Sequence, residues 1–127
     1  PAFKKLREEV FRKAEKGYLF GIDGRKVPVR STHSSLNSLC QSAGAIVCKK
    51  WVVEFHRLVK ERGYTEGTDY SQVAFIHDEI QVLVRKGLED TVGKIAVEAI
   101  TNSGTQLNLR VPLTGEYNFG SNWAETH

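Results

Sequence analysis

His77, Asp78 and Glu79 stand midway along Tyr70 to Val84, a run otherwise dominated by apolar side chains. Two adjacent carboxylates are the hard oxygen donors that a cation such as magnesium requires. Their flanks, Val73 to Ile76 and Ile80 to Val84, are rich in β-branched and aromatic residues and read as two buried strands. The polar triplet then falls at the turn between them. Burying an unpartnered carboxylate is costly, so these acids are expected at an exposed tip or beside a cation. Asp also suits turns for purely geometric reasons, so the residues alone leave a structural role open. The turn lacks the Gly or Asn that tight hairpins prefer, which hints at a strained turn kept for another reason.

A second set lies earlier in the chain. His33, Asn37 and Gln41 recur every four residues and line one face of a predicted helix, beside the small residues Ser38, Ser42 and Gly44. Asn and Gln amides both donate and accept, which suits base edges or sugars, although a solvated helix face has the same composition. Arg25, Lys26 and Arg30 cluster just before it. They fit either a charged surface hairpin or a nucleic-acid contact.

The elements that must position these residues follow from periodicity. Phe3, Leu6, Val10 and Ala14 predict an amphipathic helix over residues 3–16, ended by Gly17. Tyr18 to Ile22 and Arg25 to Val29 flank Asp23-Gly24, a two-residue hairpin signal. Residues 32–62 predict the longest helix, capped by Ser31 or Thr32 and closed by Gly63. Its core stripe is Leu36, Leu39, Cys40, Ala43, Ile46 and Val47. Leu88 to Ser103 predicts a second long helix, with Glu89 and Asp90 placed to favour its positive end. Leu107 to Leu113 reads as a strand, and Thr114 to His127 as an irregular tail with Tyr117, Phe119 and Trp123 buried. The fold class expected is α+β, two helices on an antiparallel sheet that includes the acid-tipped hairpin.

The chain has 127 residues and a net charge of +3, with 26% charged and 40% hydrophobic residues. That is an ordinary globular balance, sized for one compact domain. No apolar run approaches a membrane span and no signal peptide opens the chain, so no membrane partner is expected. Cys40 and Cys48 fall about 12 Å apart along one helix, too far for a disulfide, and read as small buried hydrophobes in a reducing compartment. No phosphate loop, nucleophile motif or zinc-ligand spacing appears. The chain contains no Met and opens at Pro1, which suggests a processed or trimmed chain or a fragment.

Taken in order, the motifs are more specific than any one alone. They are Asp23-Gly24-Arg25, Asn37-x-x-x-Gln41-Ser42-Ala43-Gly44, His77-Asp78-Glu79, Gly120-x-Asn122-Trp123 and a final His127. This series resembles the C-terminal end of a family A DNA polymerase, most like the branch found in short-tailed phages. The resemblance implies that residues 1–17 are the last fingers helix and 18–127 belong to the palm. It implies nucleotidyl transfer to a primer 3′ hydroxyl, with Asp78 as one of two aspartates binding a Mg2+ pair. Glu79 would be an accessory carboxylate and His77 would lie against the primer terminus. Asn37 and Gln41 would read the minor groove of primer-template DNA, with His33, Arg25 and Arg30 beside them. His33 departs from the polymerase I pattern, which has Arg there.

The nucleotide-binding fingers helix, the thumb and the first metal-binding Asp of that family are not found in this sequence. Asp69-Tyr70-Ser71-Gln72 imitates the missing Asp motif. Asp69 precedes Asp78 by nine residues, about 30 Å along an extended strand, so it cannot share a metal pair and reads as a loop residue. The expected partners are therefore DNA, deoxynucleotide triphosphates and a separate N-terminal polymerase portion, in a bacterial or phage-infected cytoplasm. The chain alone is expected to be inactive and to self-associate through an exposed sheet edge. Two alternatives stay open: a non-catalytic nucleic-acid-binding module derived from a polymerase, and a metal-dependent nuclease using Asp78 and Glu79.

Overall fold

The computed structural model describes residues 1–126, so His127 lies outside the described residues. Among the described residues, three helices and two antiparallel hairpins make an α+β arrangement. In order they are α1 (Ala2–Ala14), β1 (Tyr18–Phe20), β2 (Lys26–Pro28), α2 (Ser35–Glu61), β3 (Tyr70–Ile76), β4 (Glu79–Val84) and α3 (Glu89–Gln106). Short 3-10 turns lie at Thr32–Ser34 and Trp123–Thr126. The chain forms two compact units, Pro1–Ile46 and Val47–His127, which divide within α2. Among the described residues no helix is long and apolar enough to cross a membrane.

In the first unit, Val10 and Ala14 of α1 close over Leu19, with Val29, Leu36 and Leu39 around them. Phe3 and Leu6 stay exposed, so only the C-terminal half of the expected stripe is buried. The first hairpin turns more widely than two residues. Gly21 N–H donates to the Arg25 carbonyl at 2.8 Å, leaving Ile22-Asp23-Gly24 as the loop. Gly24 supplies the left-handed residue (φ 83°) that a three-residue loop needs. The start of α2 also differs from expectation. Ser31 makes no side-chain cap; instead the Ser35 hydroxyl donates to the Thr32 carbonyl at 2.6 Å. Cys40 is exposed and Cys48 half-buried, so neither is the core residue expected.

The second unit holds the larger core. Phe55, Leu58 and Val59 of α2 meet Tyr70 of β3 and Val92, Ile95 and Ala99 of α3. Trp51 Nε1 donates to the Ala96 carbonyl at 2.8 Å, fixing α2 against α3. Ile80, Val82 and Val84 turn one face of β4 toward this core. The two strands pair from Tyr70↔Val84 to Ile76↔Glu79, with a bulge at Val73 between Gln72 and Ala74. The expectation of fully buried strands is not met. A two-stranded sheet here packs on one side, and Val73 and Leu83 remain 57% and 65% exposed.

Two further expectations are corrected. Leu107 to Leu113 forms no strand. Asn108 enters the left-handed region (φ 54°) and Leu109 N–H returns to the Gly104 carbonyl at 3.1 Å, so this stretch begins as the end of α3. Leu113 then rests against Gly104. Of the three tail aromatics, Tyr117 is half-buried, while Phe119 and Trp123 are exposed. The Tyr117 ring covers Gly93, where a side chain would collide with it, and its hydroxyl donates to Asp90. Asp90 also pairs with Lys94 at 2.5 Å, and Glu89 accepts from Gly87 N–H at 2.8 Å. Both acids therefore serve the start of α3, as expected.

Glu54 is the buried acid of this unit. It accepts two hydrogen bonds from Arg57, at 2.7 and 2.8 Å, and one from Asn102 at 3.1 Å. The Arg57 hydrogen bonds hold its carboxyl down to about 2, against 4.5 ordinarily. A depressed acid contributes stability that is complete above its unfolded value and vanishes as pH falls through the folded one. Glu54 should therefore withdraw about 2 kcal/mol between pH 4.5 and 2, because Arg57 itself is half exposed to solvent. Urea midpoints across that window should fall more steeply in the native chain than in Glu54→Gln; parallel slopes would refute the assignment.

Candidate functional site

His77 and Asp78 are the two central residues of the β3–β4 turn, and Glu79 opens β4 opposite Ile76. His77 sits at φ 55°, a left-handed conformation that costs a non-glycine residue about 1 kcal/mol or more. The turn is strained, as its lack of Gly and Asn suggested. His77 and Asp78 are exposed and Glu79 is half-buried. Gln81 donates its side-chain amide to the Glu79 carboxylate. Asp78 makes no hydrogen bond or ion pair among the described residues. Its negative charge reaches Cys48 on α2, where burial first and Asp78 second push the thiol upward.

The base of this hairpin is held independently of its tip. Asp69 accepts from Thr65 N–H at 2.8 Å and pairs with Arg85 at 3.2 Å across the strand ends. It is the loop residue expected, at the opposite end of β3 from Asp78. His56 on α2 joins β3 through both ring nitrogens. Nε2 contacts Gln72 Oε1 at 2.8 Å and Nδ1 contacts the Tyr70 hydroxyl at 3.3 Å. This bridge was missed in the sequence, because nothing local relates positions 56, 70 and 72.

The donor set suits a hard cation only in part. Magnesium is commonly held by one or two protein carboxylates, with waters and substrate phosphates completing six positions. Asp78 offers an unengaged carboxylate of that kind, and Glu79 a second beside it. Among the described residues no group of three or more His, Cys, Asp or Glu converges on one point.

The second group of expected residues belongs to the first unit. His33, Asn37 and Gln41 are all exposed, at four-residue spacing from the 3-10 turn into α2. Arg25 is folded back on its own turn, its guanidinium 2.8 Å from Asp23. Lys26 lies over the Tyr18 ring at 4.7 Å. Arg30 is exposed and has no ion pair among the described residues. This unit carries nine Lys and Arg against four Asp and Glu, a balance of +5 within a chain of net +3.

A family model described as DNA polymerase family A matches residues 7–125. The chain belongs to that family. DNA-directed DNA polymerases of Enterobacteria phage T3 and Escherichia phage T7 are 42% and 41% identical to it over 118 residues. Each match covers 91% of this chain and 17% of the relative. That of Escherichia phage Phieco32 is 29% identical over all of this chain and 21% of its own length. The family A chain thus spans about a sixth to a fifth of the length of the phage relatives it matches. Its fold is that of part of a polymerase domain. The Pol1 polymerase domain of M. smegmatis, solved with DNA primer-template and dNTP, superposes with a TM-score of 0.67 at 19% identity. The superposition covers 79% of this chain and 19% of that one.

Proposed function

We propose that this chain supplies the C-terminal palm portion of a DNA-directed DNA polymerase, with residues 1–17 as the end of its fingers. The carrying observation is Asp78, an exposed, unengaged carboxylate at a strained two-residue turn whose strands are anchored in a core. In this reading Asp78 is a ligand of the metal pair, and Glu79, oriented by Gln81, is an accessory carboxylate. Asp78 and Glu79 would help hold a magnesium pair, which when bound would lower the pKa of the primer 3′ hydroxyl and offset charge on the pyrophosphate leaving group. His77 faces the primer terminus from the same turn. Asn37 and Gln41 contact minor-groove acceptors shared among base pairs, so they test pair geometry rather than sequence. His33, Arg25 and Arg30 flank them, though Arg25 must first leave Asp23. The partners are primer-template DNA, deoxynucleotide triphosphates and an N-terminal polymerase portion carrying the other aspartate. Without that portion, the outer edges of the β3–β4 pair favour self-association.

The test is primer extension with magnesium and four nucleotides, by the chain alone and mixed with an N-terminal portion of a family A polymerase. Extension only in the mixture is expected. Extension by the chain alone, or none in a mixture that forms a complex, would overturn the reading. A second reading draws on the +5 balance of the first unit, which needs no metal. In it the chain is a duplex-binding module, and binding persists unchanged with chelator present.

A further inference from the structure

We propose that Arg7, held over Phe11 beside His33, is a phosphate-binding residue that extends the His33–Asn37–Gln41 row onto the DNA backbone. The inference rests on the duplex-binding part of the proposed function and adds a residue of α1 to it. The Arg7 guanidinium carbon lies 5.8 Å from the centroid of the Phe11 ring. Phe11 in turn meets His33 edge to face, their centroids 5.9 Å apart and their planes at 79°. The two contacts in series put the guanidinium within about 12 Å of the His33 ring, a few steps along a strand whose phosphates rise 3.4 Å apiece.

The charges on α1 make Arg7 distinctive. Glu9 pairs with Lys13 at 3.0 Å and Glu8 with Lys4 at 4.0 Å. Arg7, adjacent to Glu8 in sequence, has no ion pair or hydrogen bond among the described residues. A guanidinium held over an aromatic ring by a cation–π contact gives up part of its rotamer freedom while its N–H donors stay free for another acceptor. Their planar fork matches two oxygens of one phosphate, and the ring contact leaves the N–H edges unspent. A merely solvated arginine needs neither the aromatic shelf nor its link to the polar row. The surrounding balance of +5 draws in a polyanion.

The test is fluorescence anisotropy of a labelled primer-template duplex titrated with the intact chain, repeated across a salt series. Each phosphate contact contributes about 0.9 to the slope of log affinity against log salt. Arg7→Gln should weaken binding about tenfold at low salt and reduce that slope by about one. Arg7→Lys should keep the slope and lose part of the affinity, because the charge stays and the fork goes. Arg12→Ala removes a cation about 140° around α1 and should leave the slope unchanged. Equal losses in the Arg7 and Arg12 variants would overturn the proposal in favour of a diffuse basic field. An unchanged slope in Arg7→Gln, with native binding intact, would overturn it while sparing the duplex-binding reading. No duplex binding by the native chain would overturn both. Arg7 is exposed, so circular dichroism should show the same helix content in every variant.

Discussion

Asp78→Asn should cut primer extension by about a thousandfold in the mixture of this chain with an N-terminal polymerase portion, while leaving its melting temperature unchanged. The size follows from the chemistry: forfeiting about 4 kcal/mol of charge stabilisation in the transition state is three powers of ten in rate. Asn keeps the volume and one carbonyl oxygen but gives up the negative charge that a hard cation needs. The unchanged fold follows from the structure. Asp78 is exposed and makes no hydrogen bond or ion pair among the described residues, so no native contact is lost. Surface substitutions of that kind stay within about 0.5 kcal/mol. Glu79→Gln should cost less activity, since Gln81 already engages that carboxylate. Extension at the native rate by Asp78→Asn, measured in single-turnover conditions, would remove Asp78 from the metal site.

The hairpin that carries Asp78 was legible because two signals agreed. β-branched flanks fixed the strands, and three polar residues between them could only be the turn. The observed turn at His77-Asp78 and the left-handed φ of His77 match that reading. Burial was less legible. Val73 and Leu83 look like core residues by type, yet a β-branched run says nothing about how many layers will cover it. Leu107 to Leu113 failed for a related reason. Its composition suits a strand, but a strand needs a neighbour, and here the backbone groups of Leu107 to Leu109 satisfy the end of α3 instead. The tail aromatics were assigned to the core by hydrophobicity alone. Tyr117 alone of the three is even half-buried, because Gly93 leaves room for a ring and Asp90 accepts its hydroxyl. The row His33, Asn37 and Gln41 was legible from helical spacing, whereas Arg7 and Phe11 joined it only through a tertiary contact.

Phe55→Ala should destabilise the second unit by about 3–5 kcal/mol, the usual cost of emptying a phenylalanine site in a core. Phe55 is fully buried and lies where α2, β3 and α3 meet, in edge-to-face contact with Tyr70 at 5.8 Å. A unit of this size has a total stability of about 4–12 kcal/mol, so the loss removes much or all of it. Val53, two residues earlier on α2, is 69% exposed, and Val53→Ala should change the urea midpoint little. Equal midpoints for Phe55→Ala and Val53→Ala would contradict the assigned core. The comparison with Asp78 also separates two kinds of loss. Phe55→Ala should abolish primer extension together with hydrogen-exchange protection of β3 and β4, since the strands that aim the turn come apart. Asp78→Asn should abolish extension with that protection intact. A chain in which both variants lose activity, but only one loses protection, is one where the core holds the carboxylate in place and the carboxylate does the chemistry.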